Sequence, residues 1–490
     1  MRNFWRFLLR RSLPADSLKH TRVAVFGLGD SSYPKFNLVA KQLARRLLEL
    51  GATELIPRGL GDEQHPTGID AELSPWVKSC WAALRELFPL PPSLEDPAED
   101  AVLPLGEAKL QVRYTKEGEP AMQTAASAYH VSIQAAALAR SILDTLSSLA
   151  LLNKQASSNE DGIVNSSNRH RPCVATVKEA KSLTTVDSPV EVRHLSLALE
   201  QPERNSTAAR AYHQPGDVVG VVPPPESSSL SEFLELCGLA PDAVVQLRRS
   251  SALAVTDNDG DDGAWSSHIR VAALVGGGLD FASASPRRYF FEVLSHFATA
   301  EHEKERLEYL GSSDGAADMW RYNTQERRNV IEILKDFPSA RLPLPWLLQV
   351  VPRLEPRFFS VSNAWKKYPN EAHMCIGTVE WQTPYKRTIK GLCSNWLRTL
   401  KIGDCLGVWL EQATLKLPPT LATPDIRIGQ GTGGAPFRAF LQHRQQQRAR
   451  MSNANAAIGE CFFFFGCRYQ SRDFLYNEDW QDMANDGTKQ

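Results

Sequence analysis

Residues 22–37 read RVAVFGLGDSSYPKFN, and this stretch decides the fold of the first part of the chain. It opens with a short apolar, β-branched run that ends in glycine, which is the pattern of a buried parallel strand. Apolar residues at helical spacing follow over Lys35–Leu50. A second strand over Glu54–Ile56, a glycine loop and a helix over Pro75–Phe88 repeat the arrangement. We therefore predict an α/β domain whose ligand loops follow the carboxyl ends of strands.

The composition excludes several classes of function. The 490 residues include 55 Lys+Arg and 56 Asp+Glu, and a net charge of -1 argues against nucleic acid or an anionic membrane as partner. The longest apolar candidate, 136–152, contains Arg140 and Asp144, so no membrane helix is expected. Eight scattered cysteines without a CxxC pair predict reduced intracellular thiols and no metal site. The sequence also lacks the metalloprotease, α/β-hydrolase and P-loop signatures.

The first twelve residues, MRNFWRFLLRRS, allow two interpretations. Four arginines and no acid before Asp16 are typical of an organelle transit peptide. Alternatively, Phe4, Phe7 and Leu8 at helical spacing predict a helix with one buried face, which is the interpretation we prefer.

Composition divides the rest of the chain. Pro-rich, acidic residues 89–104 predict a linker, and Ala, Ser and Asn dominate 121–168, which we interpret as a weakly helical or disordered insertion. Strand-like runs return from Cys173, a helical stretch broken by loops rich in Gly, Asp and Ser covers about 230–348, and a last α/β segment starts near Asp425. The predicted domains are 1–90, a linker and insertion over 91–170, 171–415 with a helical subdomain at about 225–350, and 420–490.

The loop Gly27–Asn37 is the first candidate ligand site. Its two glycines let a backbone approach a flat ligand, and Tyr33 supplies an aromatic face. The same residues are equally consistent with an ordinary turn between a strand and a helix. Asp62, in the next loop, can accept a ring N–H or cap its own turn.

Two further motifs suit phosphate groups. In Arg357-Phe-Phe-Ser360 the guanidinium can hold a pyrophosphate with two hydrogen bonds, although the tetrapeptide alone also suits a surface ion pair. Gly391-Leu-Cys-Ser-Asn-Trp-Leu397 places glycine and Ser394, a predicted cap, at a helix start whose N–H groups can bind phosphate. A plain capped helix has the same pattern.

Gly429–Gly434 fits the pattern G-x-G-x-x-G, follows a predicted strand and opens a helix at Ala435, as a dinucleotide loop does. No acid follows about 20 residues later to hold a ribose, so the simple NAD fingerprint is not met. Arg468, after a predicted buried strand over 461–466, can meet a second pyrophosphate. We interpret Cys461 and Cys467 as core thiols and not as nucleophiles.

Taken together and in order, these five motifs resemble those of the NADPH-dependent diflavin reductases, and most of all the cytosolic branch that serves iron–sulfur protein assembly. The resemblance covers most of the chain outside 121–168. It implies a multidomain α/β and β-barrel protein: a partial flavodoxin-like FMN domain, an antiparallel FAD-binding β-barrel with a helical insertion, and a partial Rossmann-like NADPH-binding domain. It also implies a cytoplasmic oxidoreductase that passes electrons from NADPH through FAD and FMN to an anamorsin-type iron–sulfur protein, without nucleic acid or membrane partners.

The resemblance also assigns site residues. Ser360 is expected near the flavin ring and is the predicted catalytic residue. The predicted FMN contacts are Gly27, Leu28, Gly29, Asp30, Ser31, Ser32, Tyr33, Pro34, Lys35 and Asp62. The predicted FAD contacts are Arg357, Phe358, Phe359, Ser360, Gly391, Leu392, Cys393 and Ser394. The predicted NADPH contacts are Gly431, Thr432, Gly433 and Arg468.

Departures from the family pattern support further hypotheses. The family's first two phosphate loops and its last NADPH-binding residues have no counterpart, and Gly434 replaces an apolar residue of the dinucleotide loop. We therefore expect a chain truncated at both ends, with weak FMN binding and slow turnover. A non-catalytic remnant that binds FAD or a partner protein is the alternative. The arginine-rich start also leaves open a mitochondrially imported reductase.

Overall fold

A computed structural model describes residues 2–65, 67–89, 105–115, 128–146, 172–200, 213–250, 265–418, 420–450 and 459–485. These residues divide between two compact units, one formed by Met1–Gly106 with Arg287–Gln325 and the other by Glu107–Pro286 with Glu326–Gln490. Almost all of the predicted linker and much of the predicted insertion lie outside the described residues. The domain boundaries given above stay a prediction.

Helices account for much of the described chain. They are α1 (Arg2–Leu8), α2 (Leu38–Glu49), α3 (Asp70–Leu87), α4 (Ala128–Leu146), α5 (Ser227–Leu236), α6 (Val271–Gly278), α7 (Arg288–Ser295), α8 (Glu301–Gly311), α9 (Ala316–Met319), α10 (Val330–Asp336), α11 (Leu344–Val350), α12 (Leu392–Thr399), α13 (Ala435–Ala449), α14 (Gln470–Asp473) and α15 (Asn477–Asn485). No helix of the described residues is long and apolar enough to cross a bilayer.

The strands form several small sheets and one large one. They are β1 (Arg22–Val23), β2 (Phe26–Gly29), β3 (Thr53–Glu54), β4 (Gly59–Asp62), β5 (Leu110–Tyr114), β6 (Cys173–Ser182), β7 (Val192–Leu199), β8 (Val218–Val221), β9 (Val244–Arg249), β10 (Ile269–Arg270), β11 (Arg357–Ser360), β12 (Glu371–Gly377), β13 (Glu380–Gln382), β14 (Thr388–Lys390), β15 (Cys405–Glu411), β16 (Asp425–Gln430) and β17 (Cys461–Gly466).

The first unit has the predicted α/β character. Strand β1 pairs in parallel with β3, and β2 pairs in parallel with β4, so the predicted strand over 22–27 is two short strands. Helix α2 begins at Leu38 and not at Lys35, because Asn37 adopts a left-handed backbone with φ 52°.

Helix α1 forms, but its buried face is narrower than predicted. Among Phe4–Leu8, the residues of α1 whose burial the structure describes, only Leu8 is buried, whereas Phe4 and Phe7 are 57% and 47% exposed. With only two turns, the helix meets the rest of its unit at one end. There Arg46 Nε donates to the carbonyl oxygen of Leu8 at 2.8 Å.

The second unit contains the predicted antiparallel barrel. Six strands lie in the order β11-β8-β15-β6-β7-β12, with every neighbouring pair antiparallel. The ends of this sheet meet where Val361 pairs with Met374, and there the Ser362 N–H donates to the carbonyl oxygen of His373 at 2.8 Å. The interior is apolar, and its fully buried members include Leu195, Leu197, Val219, Val221, Met374 and Val408.

Over 128–146 the helical alternative is the correct one, and the helix is more extensively packed than predicted. Helix α4 packs against α6, and its Ala139 and Leu143 are buried. Helix α6 ends in three glycines, and this leaves room for the neighbouring helix: a Cβ at Gly278 would lie 2.3 Å from Leu143 Cδ1. The rest of 121–168 lies outside the described residues.

Helices separated by loops form within 230–348 as predicted, but this stretch also contains a strand that was not predicted. Strand β9 interrupts it, and β9 pairs with β5 and with β10 in a three-stranded antiparallel sheet. Its Val244-Val245 pair is β-branched and suits a strand better than a helix.

The last α/β segment forms as predicted. Strand β16 runs parallel to β17 over six paired residues, and α13 lies between them in the chain. Leu441 of α13 packs with Trp480 of α15 in a second apolar cluster. The glycine turn Gly431–Gly434 joins β16 to α13 as a 3₁₀ turn.

Candidate flavin and dinucleotide sites

The first glycine loop is held together by one carboxylate. Gly29 and Asp62 stand side by side at the ends of β2 and β4. Asp62 Oδ1 accepts the backbone N–H of Ser31 at 2.9 Å and that of Gln64 at 3.0 Å. The hydrogen bond from Ser31 has the largest effect and the one from Gln64 the next largest, and both lower the pKa of Asp62 below its ordinary value. Of the two roles considered for Asp62, the structure contains the turn-capping one.

The two glycines of this loop make room for a side chain that the sequence analysis missed. A Cβ at Gly27 would lie 2.5 Å from Asn37 Oδ1, and a Cβ at Gly29 would lie 2.7 Å from Asn37 Cγ. Asn37 is buried, and its Nδ2 donates to the Gly61 carbonyl at 3.0 Å. Asn37 has a left-handed backbone, a conformation that asparagine adopts more readily than most residues. An asparagine directly before a predicted helix was therefore the sequence feature that could have indicated this role.

The tip of the loop is open. Leu28 is 70% exposed and Tyr33 is 68% exposed, so an aromatic face and an apolar side chain are free to contact a flat ligand. Asp30 accepts the Ser32 N–H at 2.8 Å, which fixes the backbone between them. The loop therefore presents an ordered edge that suits a ring system.

Strand β11 places the RFFS motif on the barrel. Arg357 is half-exposed, lies 3.8 Å from the buried carboxylate of Asp280 and donates to the Glu355 carbonyl. The ion pair considered from sequence is thus present, and 35% of the Arg357 side chain is still exposed. Phe358 is exposed at the edge of the Trp409 ring, and Phe359 packs against the barrel interior.

The GLCS motif lies next to RFFS. Burial raises the pKa of the Cys393 thiol to about 12, and the positive charge of Arg357 opposes that shift, which shows that the two groups lie near each other. A Cβ at Gly391 would lie 2.9 Å from Val379 Cβ, so glycine is required for this close approach. Helix α12 begins immediately after Gly391, so its first backbone N–H groups have no hydrogen-bond acceptor within the helix.

The predicted cap role of Ser394 is wrong. Gly391 is the N-cap residue and Ser394 lies inside the first turn. The Ser394 hydroxyl instead accepts the Val379 N–H at 3.1 Å and donates to the Gly391 carbonyl at 3.4 Å. Ser394 therefore ties the helix start to the segment that follows β12.

The dinucleotide loop is open where a ligand would approach it. Gly431 has φ 52°, and a Cβ at Gly431 or Gly433 would meet no atom of the described residues within 4 Å. Gly429, in contrast, lies against the turn itself, because a Cβ there would be 2.9 Å from the Gly434 Cα. The Thr432 methyl would lie 3.5 Å from a Cβ at Gly377, so the loop sits against the end of β12.

The end of β17 supplies a further cation. Arg468 is exposed, and its backbone N–H donates to Asp473 Oδ2 at 3.1 Å. Cys461 is a core thiol as predicted, and burial raises its pKa to about 11. Cys467 is only partly buried, so the core interpretation is wrong for it.

Three protein-family models match the chain in the same order as these sites occur along it. A flavodoxin model matches residues 1–76, an FAD binding domain model matches 165–396, and an oxidoreductase NAD-binding domain model matches 428–490. The NADPH-dependent diflavin oxidoreductase 1 of Arabidopsis thaliana is 36% identical over 496 residues, which cover 99% of this chain and 72% of the relative. The proteins of that name from Danio rerio and Xenopus laevis are 34% and 33% identical, each over 99% of this chain and 73% of their own length.

The chain belongs to the NADPH-dependent diflavin oxidoreductase family. It is an NADPH-dependent oxidoreductase with FMN, FAD and NADPH as cofactors, and the order of its domains fits electron transfer from NADPH through FAD to FMN. The fold class and the cofactors expected from sequence are confirmed. The family implies an electron-acceptor partner.

A buried polar cluster in this diflavin oxidoreductase was not found from sequence. His373 Nε2 and Ser196 Oγ both lie about 3 Å from Glu371 Oε2, at 3.0 Å and 2.9 Å. His194 contacts the His373 ring edge-on and lies 3.0 Å from the Tyr476 hydroxyl. Burial lowers the pKa of His194 to about 2, and it lowers the pKa of His373 to about 4.

Two more groups of the cluster titrate in acid. Burial lowers the pKa of His213 to about 4. Burial opposes ionisation of Glu371, but hydrogen bonds from Lys178, His373 and Ser196 together lower its pKa to about 2. All four groups therefore bind protons more weakly in the folded protein than in the unfolded chain.

This cluster predicts loss of stability in acid. The three histidines are neutral when folded but take up protons near pH 6.5 when unfolded, so the free energy of unfolding should fall as pH drops below about 6.5. Three extra protons on the unfolded chain give a slope of at most about 4 kcal/mol per pH unit near pH 5. Chemical denaturation across this range measures it. His373→Gln should reduce the slope, and the same change at exposed His20 is the control. Equal slopes for wild type and His373→Gln would contradict the prediction.

The open glycine turn generates a second prediction. Gly433→Val should leave folding intact, because in the part of the chain that the structure describes its Cβ would meet no atom within 4 Å, and no positive φ is required there. The added methyl groups would occupy the space a dinucleotide approaches, so NADP⁺ binding should weaken about tenfold or more. Calorimetry measures the Kd. Gly106→Val, at another open glycine, should change neither NADP⁺ binding nor Tm. Unchanged NADP⁺ binding by Gly433→Val would exclude this turn from the dinucleotide site.

Proposed function

We propose that this diflavin oxidoreductase delivers electrons from NADPH to an iron–sulfur protein of the anamorsin type in the cytoplasm. The supporting observation is the convergence of three distant motifs on one unit: RFFS, GLCS and the glycine turn all lie on the barrel or against its β12 end. The chemical class of the acceptor rests on the motif resemblance described above.

The residues around Arg357 and Gly391 fit an FAD pyrophosphate. Arg357 supplies a cation that is part-exposed, and the start of α12 supplies backbone N–H groups that have no partner within the helix. Helix N-termini and guanidinium groups are the usual protein partners of phosphate. FAD, when bound, supplies the hydride acceptor and the carrier that passes electrons onward.

Ser360 is the proposed catalytic residue. Ser360 is the last residue of β11. Because side chains alternate between the two faces of a strand, Ser360 lies on the opposite face from Arg357 and Phe359. Its side chain is partly buried, so its hydroxyl can contact a flavin ring while the strand holds its position. The Tyr33 ring and the Leu28 side chain are proposed to contact FMN in the first unit.

FAD binding should depend on Arg357. Arg357→Ala removes a charge-assisted hydrogen bond to phosphate, so FAD binding should weaken by about 1.5–3 kcal/mol, roughly 10- to 100-fold. The yellow colour and the FAD released per chain measure this. Arg398→Ala removes an equally charged side chain from the last turn of α12 and should retain FAD. Equal FAD loss in both variants would show that general charge, and not Arg357, holds the cofactor.

The acceptor is tested with purified proteins. NADPH and the full chain should reduce a [2Fe–2S] protein of the anamorsin type, and bleaching of its visible absorption measures the rate. Tyr33→Ala should slow this transfer by removing a ring contact of about 1 kcal/mol while FAD content stays unchanged. A chain that NADPH reduces fully but that leaves the iron–sulfur protein oxidised would overturn the proposed acceptor.

A further inference from the structure

The segment Ser362–Ala364 begins two residues after the end of the RFFS strand and is completely buried. All three residues have 0% exposed surface. Asn363 fixes the segment to the barrel, because its Oδ1 accepts the His373 N–H at 2.8 Å and its Nδ2 donates to the Glu371 carbonyl at 3.1 Å. Ser362 is two residues past Ser360, so any shift of this segment moves the proposed catalytic hydroxyl.

Helix α13 holds the same segment from the dinucleotide side. Arg438 Nη1 donates to the Ser362 carbonyl at 2.8 Å, and Gln442 Oε1 accepts the Ala364 N–H at 3.0 Å. Arg438 and Gln442 are four residues apart and lie on one face of the helix. We call these two side chains and their two hydrogen bonds the clasp.

The clasp holds the helix with a buried charge and a buried amide, and burying such groups costs free energy. Arg438 is 5% exposed, and Gln442 is 0% exposed. The Arg438 charge is balanced by Asp479, 2.5 Å away, and its guanidinium lies 4.8 Å from the centre of the Tyr476 ring. Gln442 Nε2 is buried without a hydrogen-bond partner among the described residues. Apolar side chains of similar volume commonly hold such a helix at lower cost, whereas polar pairs also fix one register.

We propose that Arg438 and Gln442 are positioning residues that set the distance between the dinucleotide loop and the flavin end of β11. Helix α13 begins immediately after the Gly431–Gly434 turn, so the clasp connects the two binding elements through one rigid helical segment. The inference rests on the proposed roles of the turn and of Ser360. Neither side chain takes part in the chemistry.

The reaction itself explains why a fixed distance matters. Hydride transfer breaks a C–H bond of NADPH and forms an N–H bond on the flavin, moving two electrons with one proton and leaving NADP⁺. A displacement of about 1 Å at the reacting atoms can slow such a step about 100-fold. Binding of each cofactor alone does not depend on that distance, so the clasp should affect transfer and not occupancy.

The experiment compares Arg438→Met and Gln442→Met with wild type in the full chain. Hydrogen exchange of the Ala364 amide should become at least about tenfold faster in Gln442→Met, because its acceptor is gone. Flavin bleaching at saturating NADPH should slow about tenfold or more in both variants. FAD per chain and the Kd for NADP⁺ should change less than about threefold. Arg438→Lys, which keeps a charged donor, should restore part of the bleaching rate.

Arg444→Met is the matched control. Arg444 is a buried arginine of the same helix, but it pairs with Asp425 and donates to the Gly459 carbonyl, away from the 362–364 segment. If Arg444→Met slowed flavin bleaching as much as the two clasp variants do, the effect would come from a general loss of stability, and the proposal would be overturned. Faster Ala364 exchange with an unchanged bleaching rate would overturn it as well. A wild-type chain that keeps FAD but is not bleached by NADPH would contradict the proposed function, while the Ala364 exchange would still decide whether the clasp exists.

Discussion

The pairing of Val361 with Met374 is the constraint on which the second unit depends. It joins the two end strands of the six-stranded sheet, so the sheet has no free edge at this point and its interior can be filled by apolar side chains. The RFFS strand ends one residue before this junction, and the dinucleotide turn lies against the other strand that enters it. A shift at this junction would therefore move both proposed cofactor elements together.

Glycine positions explain how separate elements approach one another in both units. At Gly278 the missing Cβ admits Leu143 of α4, and at Gly391 it admits Val379 beside the proposed phosphate site. At Gly27 and Gly29 it admits Asn37, an internal side chain, although the sequence suggested an external ligand. The glycines of a motif thus serve two different needs: some accommodate the protein's own packing, and others, such as Gly433, leave open space.

The sequence predicted the elements that carry a local pattern. Strand β16, the glycine turn and α13 form as expected because a β-branched run, glycines and a helix former follow one another within a few residues. The sequence left the helix of 128–146 undecided between weak helicity and disorder, because this helix packs against α6, more than a hundred residues later in the chain. The cluster around Glu371 was missed for the same reason, since His194 and Tyr476 are 282 residues apart in the chain.

The role of an individual side chain was hardest to predict from sequence where the same residue type serves two different structural roles. Ser394 stands where a capping serine is common, but α12 begins one residue after Gly391, so the hydroxyl is placed to accept from Val379 instead. Arg438 shows the reverse case: an arginine within an otherwise ordinary helix gave no signal, yet its buried charge is balanced by Asp479 and directed at Ser362. Burying a charge costs free energy unless partners compensate it, and the partners of Arg438 are the Asp479 carboxylate and the Ser362 carbonyl. These contacts lie at the junction between the strand that carries Ser360 and the helix that follows the dinucleotide turn.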